Sequence, residues 1–494
     1  MNTNTTTSIE AGTKVLASSG EIFEVDETLA ARLEPGDRLV ANVQAGLLHL
    51  PAADLATTAQ AVANCVAAFD DMAGVTDEQI VAFFNELAAT LEDDDVWAEI
   101  TAKNALDVEA AKAKGRSTTR LAVSDAMRQN MIDGLRGWAT TPSRRDATIE
   151  EIDHEGFQIE LVGAPLGVVA FVFEGRPNVL VDACGVLRGG NTAIFRIGSD
   201  ALGTAQALMA RAVHPALVAT GLPKHALTLI ESASHASGWA LFLDDRVALA
   251  VARGSGPAVD LLGALAQSVG TPASLHGTGG AWMIASAAAQ PDALAAAVTR
   301  SLDRKVCNTL NTCCIQRDAA ETLVPAFLDA LEQAAQARGT ACRLHVVGDA
   351  DGWVPDAWFT TKTTITRADG PCEEFKADTL SEDRLSEEWE WEVSPEVTLT
   401  LVDAIDDGVR LFNQYSPRLV ASLISDDEDE HRRFWASVHS PFIGDGHTRW
   451  VDGQFALAKP ELGLSNWANG RLFGRGGILT GDSVFTIRTR FKTR

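Results

Sequence analysis

The sequence predicts an α/β fold of two parallel-sheet domains, with a β arm and a small N-terminal appendage. Three observations carry this reading. Apolar runs at residues 167–173, 191–196, 227–230 and 247–251 have strand length, and helical runs such as 200–218 and 257–268 follow them. Strands alternating with helices at this spacing form a parallel sheet covered on both faces, and such sheets bind ligands at the carboxyl ends of their strands. A second α/β region opens after Gly280 with Ala281-Trp282-Met283-Ile284-Ala285, and a helix from residue 286 to about residue 304 is expected to deliver the chain to Cys307. Finally, residues 148–162 alternate as a hairpin through Ile149, Ile152, Phe157, Ile159 and Leu161, and residues 484–491 alternate again near the end of the chain. Such a hairpin suits an oligomerisation arm, with the terminal strand pairing with the hairpin of another subunit.

The other elements follow in chain order. A turn signal, Glu34-Pro35-Gly36-Asp37, precedes the strand-like Leu39-Val40-Ala41, which marks an appendage over residues 1–60. From residue 61 to about 138 the apolar spacing is helical, first through Val62, Cys65, Val66 and Phe69, then through Ile80, Phe83, Phe84, Leu87 and Leu91. The stretch 261–291 carries no charged side chain, but its Gly, Ser, Thr, Gln and Pro content disqualifies it as a membrane span; it reads as buried turns and strands.

Composition narrows the function. A chain of 494 residues buries a large core and divides into about two to four domains. A formal charge of −26 argues against a surface that tracks nucleic-acid phosphates, and points to a small-molecule partner with at most a local cationic pocket. The acidic runs Glu92-Asp93-Asp94-Asp95 and Asp426-Asp427-Glu428-Asp429-Glu430 read as solvated helix ends, and no metal centre is expected. Seven cysteines, at 65, 184, 307, 313, 314, 342 and 372, without repeating spacing or a CxxC pair, argue for a reducing compartment. The Thr/Asn-rich start lacks a secretory pattern, so a cytoplasmic protein is expected, with no membrane association.

Among these residues the candidate nucleophile is Cys307, in Arg304-Lys305-Val306-Cys307-Asn308. Adjacent cations favour the thiolate, although a lone cysteine is more often a packed core residue. Three strand ends add polar candidates. Arg253-Gly254-Ser255-Gly256 is either a phosphate-binding turn or a plain tight turn. Arg196 and Ser199 lie where an adenosine phosphate could be held, or are ordinary surface groups. Arg176-Pro177-Asn178 offers an amide donor to a developing oxyanion, or a helix cap.

In order along the chain, these segments resemble the aldehyde dehydrogenase superfamily and, within it, the γ-glutamyl phosphate reductase (glutamate-5-semialdehyde dehydrogenase) family. The resemblance rests on Pro165-Leu166-Gly167-Val168-Val169, Phe173-Glu174-Gly175-Arg176-Pro177-Asn178-Val179, Gly189-Gly190-Asn191-Thr192-Ala193-Ile194-Phe195-Arg196-Ile197-Gly198-Ser199, Ala252-Arg253-Gly254-Ser255-Gly256 and Val306-Cys307-Asn308-Thr309-Leu310. It continues through Asp445-Gly446-His447-Thr448-Arg449-Trp450-Val451-Asp452-Gly453 and Glu461-Leu462-Gly463-Leu464-Ser465, and covers about residues 60–494. It implies a cofactor-binding domain over 61–145 and 163–280 with part of 450–475, a catalytic domain over 281–449, and an oligomerisation arm from 146–162 and 476–494.

The resemblance also implies the chemistry: NADPH-dependent reduction of L-glutamyl 5-phosphate to glutamate 5-semialdehyde plus phosphate, as in proline biosynthesis. Cys307 would attack the acyl carbon and expel phosphate to leave a thioester, while Asn178 and the Cys307 backbone amide hold the oxyanion. Arg196, Ser199, Arg253, Gly254, Ser255 and Glu392 would contact NADP(H), with Glu390 as the alternative ribose carboxylate. Arg176, Asn308, Thr448 and Arg449 are the substrate-contact candidates. Where hydrolytic relatives place a general-base glutamate, this chain reads Ser274-Leu275-His276-Gly277-Thr278-Gly279-Gly280, so phosphate rather than water is the acyl acceptor implied. His276 is a base or a structural hydrogen-bonding group.

Two departures bear on the substrate. Tyr415-Ser416-Pro417-Arg418-Leu419 replaces a polar family segment, so Arg418 could serve another carboxylate, and Phe473-Gly474-Arg475-Gly476-Gly477 replaces His-Ala-Arg-Gly-Pro. The alternatives are a related acyl phosphate, acyl-thioester or semialdehyde oxidoreductase with a different acyl group, and a scaffold that has kept the fold. A homodimer or homotetramer is expected, with a separate glutamate kinase as a possible partner.

Overall fold

A computed structural model describes residues 9–17, 20–116, 118, 121–173, 175–367, 370–451, 457–464, 467, 468, 471, 472, 474 and 476–494. The motif positions Glu174, Asp452, Gly453, Ser465, Phe473 and Arg475 lie outside the described residues. The chain forms two compact units: Met1–Gly277 with Lys459–Gly463 and Ile478–Arg494, and Thr278–Ala458 with Leu464–Gly477.

The first unit is built on strands β1 (Val168–Phe173), β2 (Thr192–Ile197), β3 (Leu227–Leu229), β4 (Val247–Arg253) and β5 (Ala273–His276), all parallel, in the order β5-β4-β1-β2-β3. Side chains of a strand alternate between faces, so an all-apolar strand supplies two cores at once. In β1, Val169, Phe171 and Phe173 join Phe195, Ile197 and the helical Phe83, Phe84 and Leu135. Val168, Ala170 and Val172 face the other way, against Ile194, Ala250, Val62 and Cys65. The helix Asp77–Glu92 that covers the first face starts at a capping box: Thr76 accepts from the Gln79 amide while Gln79 accepts from the Thr76 amide. Asp93 caps the next helix, Asp94–Ala113, and Asp427 caps Glu428–Ser437, so each acidic run serves a helix N-terminus.

The second unit carries β6 (Ala281–Ala285), β7 (Leu310–Gln316), β8 (Arg343–Val347), β9 (Ala377–Leu380), β10 (Glu396–Val402), β11 (Val420–Ile424) and β12 (Phe442–Gly444). These are again parallel, in the order β9-β8-β10-β7-β6-β11-β12. Met283 and Ala285 face one core and Trp282 and Ile284 the other. The protein therefore has the expected α/β architecture of two parallel sheets.

Four expectations change. The boundary at residue 60 falls inside the helix Ala52–Asp71, and Leu48 and Leu50 of the preceding hairpin are buried with Val62 and Val168, so the apolar face of the appendage belongs to the core. Where the uncharged stretch 261–291 overlaps the expected helical run 257–268, the helix holds as Gly256–Ser268 and the turn-and-strand reading gives way, because Leu262, Leu265 and Ala266 share its buried face. The helix before Cys307 is shorter than 286–304. It runs Pro291–Ser301, since Pro291 fits the first turn and the Ser286 hydroxyl turns the chain beforehand by accepting from the Ala288 amide. Lastly, the terminal strand Thr486–Thr493 pairs antiparallel with Phe157–Ala164 of its own hairpin, giving a three-stranded sheet within one chain. Arg490 and Lys492 both reach the buried Glu160, at 2.6 and 2.5 Å, which fixes that register.

Candidate active site

Burial separates the thiols. Cys65, Cys184, Cys313, Cys314 and Cys342 are buried, and burial pushes their pKa values up, to about 12 for Cys65 and Cys314 and about 11 for Cys342. Such groups stay protonated and pack as small hydrophobes. Cys307 and Cys372 are half-buried, and Cys372 lies in an antiparallel hairpin where its thiol donates to Glu374. Cys307 is thus the thiol whose surroundings suit nucleophilic work.

Its segment is a tight turn made by one hydroxyl. Thr309 Oγ1 accepts from the Val306 amide at 2.9 Å and donates to the Arg304 carbonyl at 2.6 Å, while the Thr309 amide returns to the Val306 carbonyl. Glycines press on the other side. A Cβ on Gly279 would lie 2.4 Å from Cys307 Cα and 2.7 Å from its Cβ, so only glycine fits. The Gly280 amide donates to the Cys307 carbonyl at 2.7 Å, with Gly280 at φ 107°.

Three substrate-contact candidates, Asn308, Thr448 and Arg449, converge here as supports. Asn308 is 1% exposed; its amide donates to the Val451 carbonyl and accepts from Arg449, whose Nε donates to Asp303 at 2.7 Å. Thr448 Oγ1 donates to the Asn308 carbonyl at 2.7 Å, and its amide donates to Ser301 at the end of the helix. These bonds hold the residue after Cys307 in place.

The expected electrostatic role of Lys305 is altered. Its ammonium meets Glu388 at 2.5 Å, and the second oxygen of Glu388 accepts from the Gly279 amide at 2.6 Å. Glu392 and Glu390 are both exposed; the Glu392 carbonyl accepts from Arg338, and Glu390 lies 3.9 Å from Lys305. Sequence reasoning missed Glu388. The alternation Glu388-Trp389-Glu390-Trp391-Glu392 was visible, but nothing in it says which acid turns inward.

In the first unit Asn178 precedes the short helix Val179–Ala183, and its amide donates to Asp182 at 3.1 Å. Burial raises the Asp182 carboxyl to about 7; Arg253 and Arg176 oppose this and Glu461 adds to it. Arg253, expected to face phosphate, donates to Glu461 at 2.9 Å. The Gly254 amide donates to the His276 carbonyl at 3.2 Å, because β4 and β5 remain in register, and is thereby committed to the sheet. Ser255 still stands at the N-terminus of Gly256–Ser268. Arg196 is only 6% exposed; it donates to the Ala233 carbonyl through one Nη, while its buried Nε has no acceptor among the described residues. Burial lowers its pKa. Ser199 is exposed at the start of a 3₁₀ turn. Arg418, offered above for a second carboxylate, donates to the Asn413 carbonyl at 2.9 Å and closes the helix Ile405–Tyr415.

Two parallel-sheet units, one carrying a half-buried thiol on a glycine-packed turn, suit an enzyme that works on a carbonyl carbon. The sequence pattern of the aldehyde dehydrogenase family matches residues 41–342, more than half of the chain, and the chain belongs to that family. Its curated relatives are more specific. It is 35% identical over 278 residues to the gamma-glutamyl phosphate reductase of Xanthomonas axonopodis pv. citri, an alignment covering 54% of this chain and 65% of the relative. It is 28% identical over 377 residues to gamma-glutamyl phosphate reductase 1 of Bacillus licheniformis, covering 74% and 83%. The solved gamma-glutamyl phosphate reductase of Thermotoga maritima shares the fold with a TM-score of 0.77 at 20% identity, covering 88% of this chain and 98% of that one.

Proposed function

We propose that the protein reduces L-glutamyl 5-phosphate to glutamate 5-semialdehyde with NADPH and releases phosphate. The observation that carries this reading is the Cys307 turn itself: a half-buried thiol against Gly279 and Gly280, in a chain whose segment 274–280 contains no carboxylate to activate water. Cys307 Sγ attacks the acyl carbon, the bond to phosphate breaks, and a thioester remains on the enzyme. The dinucleotide, when bound, supplies the hydride that reduces this thioester. Collapse of the resulting adduct on Cys307 breaks the carbon–sulfur bond and returns the thiolate as the aldehyde leaves.

The residues fit such a cofactor. The buried Nε of Arg196, without an acceptor among the described residues, matches an anionic group at the end of β2, and Ser255 with the N-terminus of Gly256–Ser268 suits a second phosphate. A cation at β2 favours NADP(H) over NAD(H). The exposed Glu392 remains available for the ribose, while Ser199 and Gly254 have less to offer, one being exposed and the other's amide bound within the sheet. Family resemblance assigns Asn178 to the oxyanion. Exposed Ile149, Ile152, Ile487 and Phe491 on the arm suit self-association of the enzyme.

Phosphate-dependent oxidation of glutamate 5-semialdehyde tests the assignment. Turnover should require phosphate, prefer NADP to NAD, and vanish in Cys307→Ala while the cofactor still binds. Turnover that needs coenzyme A instead of phosphate would move the enzyme to the acyl-thioester class, and unchanged turnover in Cys307→Ala would remove the thiol from the mechanism.

A further inference from the structure

We propose that Glu388 is a positioning residue for Cys307, acting through Lys305 of the same turn and through the amide of Gly279, which packs against that turn. The inference rests on the reading of Cys307 as the nucleophile.

The carboxylate uses both oxygens. Oε1 lies 2.5 Å from Lys305 Nζ, two residues before Cys307, and Oε2 accepts from the Gly279 amide at 2.6 Å. The lysine side chain is 7% exposed and the glutamate 14%, so the pair is shielded and its geometry is held more firmly than that of a surface ion pair. Gly279 in turn lies against the Cys307 backbone, and Gly280 binds its carbonyl. One carboxylate therefore joins the two stretches of chain that pack against each other at Cys307, just before they pair as β6 and β7.

Glu388 is itself fixed at its neighbours. The Glu387 carbonyl accepts from Asn311 at 2.8 Å, and the Trp389 amide donates to Asn311 Oδ1 at 2.9 Å. The Trp389 indole donates to Thr398 at 2.7 Å and stacks on His345 with ring centroids 3.7 Å apart. Asn311 lies on β7, the strand that the Cys307 turn leads into. The carboxylate is thus braced from the same strand whose entry it orders.

Two consequences follow. Contact with Glu388 offsets the charge that Lys305 would otherwise present to the thiol. The turn gains a fixed position instead, and misplacing a reacting group by about 1 Å costs on the order of 100-fold in rate.

The experiment is Glu388→Gln in the full chain, read by the pH dependence of Cys307 alkylation with iodoacetamide in a background where Cys372 is Ser, and by steady-state kinetics. Release of Lys305 should move the alkylation midpoint about one pH unit lower, while kcat falls about 10- to 100-fold with KM nearly unchanged. Alkylation needs no knowledge of the acyl substrate, so it separates failure of this proposal from failure of the functional reading, which the Cys307→Ala assay decides. An unchanged midpoint overturns the proposal, as does a kcat within twofold of the parent. If the Gln variant does not fold, Glu388→Asp, one methylene too short to reach both donors, replaces it; a folded Asp variant should lose at least about tenfold in kcat, and full activity there overturns the proposal equally.

Discussion

Two clusters of acids and arginines, one in each unit, handle the same ingredients in opposite ways. In the second unit His345, 2% exposed, sits between Asp378 at 2.6 Å and Glu396 at 2.7 Å; Arg343 reaches Asp378 at 2.7 Å and Arg367 reaches Glu396 at 2.5 Å. Burial alone would lower the histidine and raise the acids. Their mutual hydrogen bonds outweigh it, holding His345 above its ordinary value and both carboxyls below theirs. In the first unit Arg253 makes its contact with Glu461, and among the described residues Asp182 receives a neutral amide from Asn178. There burial prevails, and Asp182 rises to about 7. The difference teaches that a cation nearby is not enough. Direct contact decides whether a buried carboxyl remains an anion.

The largest effect expected from breaking this contrast is Glu396→Gln. It leaves His345 with Asp378 and Arg367 with Glu374 as their remaining anions, takes one carboxylate from each, and should cost about 1–3 kcal/mol in urea unfolding; a loss below about 0.5 kcal/mol would mean that the cluster relaxes freely. The wild-type cluster carries its own pH signature. A raised histidine contributes stability below its ordinary pKa and loses it as pH rises through the folded value; lowered acids contribute above theirs and lose it as pH falls. Its contribution is therefore greatest between about pH 4.5 and 6.5.

A smaller effect is expected at Asp182. An acid raised from about 4 to about 7 binds more protons folded than unfolded across that interval, so stability falls as pH rises from 4 to 7. Asp182→Asn should flatten that slope in melting temperatures measured across the interval; an unchanged slope would mean that Asp182 ionises normally. The smallest and most specific test is Glu461→Gln. Removing the repelling carboxylate and freeing Arg253 for contact should lower the Asp182 pKa, read by carboxyl-carbon NMR titration. If it stays near 7, burial alone sets it and the contact argument fails for this unit.

The legible part of the protein was whatever depends on periodicity. The strands at 168–173 and 281–285 and the helix at 77–92 carry their pattern in local spacing, because alternation and helical repeat are properties of a few neighbouring residues. Asn308, Thr448 and Arg449 were also visible as chemistry, being polar residues in motifs. Their use was not. Nothing local says that the Asn308 amide donates to the Val451 carbonyl and accepts from Arg449.

By itself the sequence determined the α/β class, the two sheets and Cys307 as the thiol to examine, since apolar patterning and motif order survive without coordinates. Only the tertiary structure decided that Lys305 is engaged by Glu388, 83 residues away, that Arg253 faces Glu461, and that the terminal strand closes on its own hairpin. Each of these is a pairing between groups distant along the chain. Burial strengthens the two ion pairs and backbone pairing holds the strand, and both are settled only when the chain has folded.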